Sequence, residues 1–143
     1  MTRLFKFILI LTVCLQVSCD DKKAKEQALL DEVMSIHDEV MPEMGSLRAL
    51  NKKLKLTIDS LQMDSLNVDS VEVLKVSELI QKLEQANESM MQWMRDFEPL
   101  EEGTPHGEVI QFLLEEKTKI DRVKQDMLEA KDGAEKYFLD TTN

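Results

Sequence analysis

Two stretches of this chain carry residues suited to soft-metal chemistry: His37-Asp38-Glu39-Val40-Met41-Pro42-Glu43-Met44 and Met90-Met91-Gln92-Trp93-Met94. Thioether and imidazole donors favour Cu(I). His37, Met41 and Met44 stand at i, i+4 and i+7, one face of a helix, and Met90 and Met94 form a second i, i+4 pair. The ring face of Trp93 offers a cation–π cap. The same residues also suit plain packing. Methionine fills irregular gaps against aromatic rings, and a His at a core position can set helix register as a buried polar residue. Asp38, Glu39 and Glu43 beside His37 are acid–base candidates, but acids occur throughout the chain. There is no nucleophile elbow, phosphate-cradling Gly loop or HExxH pattern. The sequence therefore predicts no enzyme, no catalytic residues and no cofactor other than Cu(I) as the alternative.

The elements that must position these residues are helices. Leu30, Val33, His37, Val40, Met44, Leu47, Asn51, Leu54, Ile58 and Leu61 step by three and four, an a/d heptad seam. Pro42 falls inside it, lacks an N–H for the carbonyl of Asp38 and predicts a kink. Val73, Val76, Ile80, Leu83, Asn87, Met90, Met94 and Phe97 form a second seam, stopped by Pro99. Asp69 with Glu72 has capping-box spacing. Thr104-Pro105 reads as an N-cap with Pro in the first turn. The third seam holds Val109, Leu113, Ile120, Val123, Met127, Ala130, Ala134 and Tyr137, with Glu116 as its polar exception. Helices over about 25–63, 70–98 and 105–139, joined by short turns, predict an all-α fold. It is an antiparallel three-helix up-down-up bundle or elongated coiled coil, with the first helix kinked near Pro42.

Folding helices one and two back around residue 67 sets Met44 level with Met90, Met41 with Trp93 and His37 with Phe97. Folding the third helix around residue 102 brings His106 level with Glu98, hence near His37. The expected site is thus a His37, Met41, Met44, Met90, Met94 and His106 cluster capped by Trp93.

The first 24 residues read as an address. Arg3 and Lys6 precede an apolar run from Phe7 to Leu15, too short to span a bilayer, and Ser18-Cys19 is followed at once by charge. Leu15-Gln16-Val17-Ser18-Cys19 resembles the looser lipobox of Bacteroidota lipoproteins, with Gln16 where the usual box has Leu. The resemblance implies a cleaved signal peptide over 1–18, a lipidated Cys19 as membrane attachment, and a short tether over 19–24. Residues 25–143 then form one helical domain. Cys14 falls in the discarded segment, so the mature chain has no free thiol. An ordinary secretory signal with an incidental Cys is the competing account. Removing Arg3 and Lys6 leaves 16 basic residues against 28 acidic ones. Such a surface repels nucleic acid, which is excluded as a partner.

The mature chain also resembles a group of small Bacteroidota lipoproteins labelled "viral A-type inclusion protein". The likeness rests on His37 to Gly45, Met90 to Met94 and Ile120 to Met127. It implies a helical lipoprotein and carries no assigned activity. The Met/His/Trp grouping is similar in residue type to that of periplasmic copper chaperones, which are small barrels. Asp20-Asp21 beside the Cys is similar to acidic signals that send lipoproteins to the cell surface. The expectation is a lipid-anchored envelope protein, in the outer membrane on its periplasmic or surface face. It acts as a non-enzymatic binding or scaffold module through helix–helix packing, with another envelope protein or a homo-oligomer as partner. The alternatives are a Cu(I)-binding envelope protein and a helical holdase with an exposed apolar groove.

Overall fold

The computed structural model describes the backbone of residues 2–63 and 70–142 and the side chains of residues 21–63 and 70–141. The chain is all-α, in four helices: α1 Thr2–Val40, α2 Glu43–Met63, α3 Ser70–Asp96 and α4 His106–Thr142. Among the described residues no helix is long and apolar enough to cross a membrane. The Cys19 side chain and the cap expected at Asp69 lie outside the described residues. The backbone is helical through 19–24, where a tether is expected. The local reason is composition: no Gly or Pro occurs before Pro42, and the stretch is rich in Lys, Glu, Gln, Ala and Leu.

The expected kink is a full break of two residues. α1 ends at Val40 and α2 starts at Glu43. Met41 N–H still reaches the His37 carbonyl at 2.9 Å, but Met44 and Gly45 then bond three residues back, to Met41 and Pro42, at 3.3 Å. Pro42 has no N–H to continue the ladder, so the chain tightens into a short-range turn before restarting.

α1 packs on α4, and α2 packs on both α3 and α4, which also pack on each other. Cross-helix contacts fix the directions. Lys117, Lys124 and Lys131 on α4 pair with Glu32, Glu39 and Glu43, so numbering rises together along α4 and the α1–α2 rod. Lys55 meets Glu84 at 2.7 Å and Asn51 Nδ2 donates to the Ile80 carbonyl at 3.4 Å, while Trp93 meets Glu116 and Lys75 lies over Tyr137. Numbering along α3 therefore falls as it rises along its neighbours. The lysines on α4 recur every seven residues, the heptad spacing of partner-setting charges on a coiled coil. Each exposed pair contributes little alone; their repetition specifies alignment.

The heptad seams form the core. Val33, Val40, Met44, Leu47 and Leu54 pack with Val76, Leu83, Ala86 and Met90 from α3 and Ile120, Met127, Ala130 and Ala134 from α4. Gly103, at φ +97°, makes the α3–α4 turn, a conformation that side chains with a Cβ rarely adopt. Thr104 does not cap α4 as expected. Its hydroxyl donates to the Glu101 carbonyl at 2.8 Å, inside the turn, and the Pro105 carbonyl accepts the first α4 amides, from Glu108 and Val109.

Candidate functional site

Trp93 is the centre of a row of rings that crosses the bundle just below the Pro42 break. His37 lies 5.6 Å away on α1, Phe97 stacks at 5.0 Å just past the end of α3, and Phe112 of α4 continues the row at 6.1 Å from Phe97. Offset ring contacts of this kind add to the burial of the rings themselves. The indole N–H of Trp93 donates to Glu116 Oε2 at 3.0 Å. The other carboxylate oxygen accepts from Lys119 Nζ at 2.7 Å. Glu116 is only 4% exposed, the polar exception of its seam. Lys119 is half in solvent, and the Glu116 carboxylate beside it holds its ammonium above the ordinary lysine range. A buried carboxylate costs free energy unless paired and hydrogen-bonded. Here one indole and one ammonium answer both of its oxygens.

The expected ligands are only partly brought together. His37 is packed against Trp93, with Nδ1 2.9 Å from Asp38 Oδ1. Met44 and Met90 are buried core residues at 3% and 0% exposure, Met94 packs against the core, and Met41 is 38% exposed at the rim. His106 is elsewhere. Its Nδ1 lies 2.6 Å from Glu26 Oε1, on α1. Eleven residues of helix, roughly 16 Å, separate Glu26 from His37, so His106 is not in the cluster. The cause is register. Trp93–Glu116 and Phe97–Phe112 are both centred between Thr104 and Pro105, not on Glu102. A similar slip puts His37, not Met41, against Trp93. Trp93 stacks on rings and bonds a carboxylate. Among the described residues there is no group of three His, Cys, Asp or Glu placed to hold a metal.

Surface grooves flank α3 on both sides. One, about 530 Å³, opens beside the Trp93–Glu116–Lys119 network between α3 and α4. The other, about 620 Å³, runs between α2 and α3, with Leu47 and Leu83 in its floor and Arg48, Lys52 and Lys55 along one side. Lys55 bonds Glu84 and holds its carboxyl below the ordinary range; burial opposes this and Asn51 adds a second donor. Arg48 and Lys52 are the residues the sequence reading missed. The available signal was composition: α2 has four basic residues against two acidic ones in an otherwise acidic chain. Lys119 and Phe112 were also missed, although Lys119 stands one turn beyond Glu116, which the sequence singled out.

Compared with protein-family models, curated proteins and solved structures, the chain shows no match.

Proposed function

We propose that this chain is a lipid-anchored, up-down-up three-helix bundle of the bacterial cell envelope that acts as a non-enzymatic binding or scaffold module. The observation that carries the binding role is the α2/α3 groove, an apolar floor edged by Arg48 and Lys52, for which the described residues provide no carboxylate partner. The Trp93–Glu116–Lys119 network, by contrast, has its polar groups answered internally, which fits a register lock better than a ligand site. Attachment follows from the lipobox-like Leu15-to-Cys19 stretch. Cys19 lies at the end of the bundle where Glu26 meets His106. At 1.5 Å per residue, the groove at Asn51 stands roughly 50 Å from Cys19. The rods hold the binding surface away from the lipid.

The test is to express the full chain in a bacterium with a fatty-acid label and to float membranes on a density gradient. The wild-type chain is expected to carry label and float; Cys19→Ala is expected to lose both. A wild-type chain that is unlabelled and stays at the bottom contradicts the anchor.

A further inference from the structure

The α2/α3 groove has a complement on the chain's own surface. Arg48 and Lys52 have no carboxylate partner among the described residues, whereas Lys55 is committed to Glu84. Leu56, 58% exposed, extends the apolar lining to the outer lip. On the distal half of α4 the pattern inverts. Asp132 and Glu135 are exposed, Leu139 is 67% exposed, and Lys131 turns inward to Glu43 at 2.8 Å. Lys136 is the cation left on that stretch, against acids at Asp126, Glu129, Asp132, Glu135 and Asp140.

The heights agree. Lys124 pairs with Glu39, and Lys53 lies over Phe138, the same sequence offset at two points along the rods. That offset puts Asp132 level with Leu47 and Arg48, and Glu135 within about one turn of Lys52. In a three-rod bundle the α2/α3 edge lies across from the α4 rod. The acidic face of α4 and the basic α2 lip of the groove, which faces Glu84 and Glu88 across the floor, therefore point away from each other in one molecule and cannot meet within it.

We infer that the α2/α3 groove receives the outer face of α4 from a second copy of this chain, with Asp132 and Glu135 against Arg48 and Lys52 and Leu139 toward Leu56. The contact is head-to-tail, because groove and ridge are different surfaces, so it propagates into rows and does not close a two-fold dimer. The matching of heights rests on the anchor proposed above, which stands all copies parallel on one surface and raises their effective concentration. The charge match does not depend on the anchor. Exposed pairs are individually weak and screened by salt, so the rows form and dissolve with density and ionic strength.

The test is sedimentation velocity of the full chain in detergent, at low and high salt, with circular dichroism to show that each variant keeps its helices. The wild-type chain is expected to sediment above the monomer at low salt and to dissociate at high salt. R48E/K52E, and separately D132K/E135K, are each expected to weaken association by about tenfold or more. Mixed in equal amounts the two variants restore it, because an acidic groove then meets a basic ridge. A wild-type chain that stays monomeric, folded variants that associate like wild type, or a mixture that fails to restore association overturns the proposal. Cys19→Ala separates the two ideas: association in detergent persists in that variant even where flotation is lost.

Discussion

The Trp93 centre and the α2/α3 groove both set charged groups against apolar side chains, and they resolve the conflict in opposite ways. At Trp93 the buried carboxylate of Glu116 takes one proton donor from α3 and one from its own helix. The carboxylate serves alignment as a hydrogen-bond acceptor, since the indole reaches that oxygen only when α3 and α4 are in register. In the groove, Lys55 is tied to Glu84 while Arg48 and Lys52 have no carboxylate partner among the described residues. Solvated cations over an apolar floor cost little in the isolated molecule and remain available to a partner. The comparison teaches that internal pairing, more than residue type, distinguishes a polar group that holds a fold from one that offers a surface.

The largest effect is expected at Trp93. Trp93→Ala removes a buried ring that meets α1 and α4 and leaves Glu116 Oε2 without its donor; a loss of about 3–5 kcal/mol is expected from urea unfolding followed by circular dichroism. Glu116→Ala leaves the indole N–H without its acceptor and should cost about 1–3 kcal/mol. Glu116→Gln keeps an acceptor and should lose less, which sharpens the point that the hydrogen bond, not the negative charge, carries the alignment. A Glu116→Ala variant as stable as wild type would show that the network does not lock the register.

Acid should act through the ion pairs. The Lys131 ammonium bonded to Glu43 holds that carboxyl below its ordinary 4.5, against an opposing effect of burial. Glu84 is lowered likewise by Lys55. A lowered folded-state value contributes stability that is present above the ordinary carboxylate range and is lost as pH falls through the lowered one. Unfolding midpoints measured from neutral pH downward should therefore fall on the acid side, and Lys131→Met should flatten that dependence. An unchanged slope in Lys131→Met would remove the Glu43 pair from the account. At the alkaline end, burial first and the Glu72 hydrogen bond second push Tyr137 up to about 12. The stability this hydroxyl adds is complete below the ordinary tyrosine value of 10.0 and is lost as pH rises toward the folded value.

Much of the fold was legible because heptad spacing states which side of each helix is apolar. Val33, Val40, Met44, Leu47 and Leu54 all sit on the inward side, and Asn51 reaches across to α3 from the same seam. Pro42 was legible because its missing N–H has one consequence in a helix. Register was less so. A reversal centred two residues away moves every facing pair by about one helical turn, and turn composition does not fix the centre. His37 accordingly meets Trp93 instead of Phe97, and His106 meets Glu26. Glu116 was visible as an anomaly on its seam, but its bond to Trp93 depends on that same register. Arg48 and Lys52 looked like any solvated charges, since whether a cation is paired depends on which carboxylates the neighbouring helix presents.

On the proposal above, the groove's cations serve association and the Trp93 network serves folding. Sedimentation velocity of R48E/K52E beside Glu116→Gln at low salt separates the two roles. The expected result is that R48E/K52E, with its helices and unfolding midpoint close to wild type, sediments as a monomer, while folded Glu116→Gln associates like wild type. Association lost in Glu116→Gln and kept in R48E/K52E would contradict it.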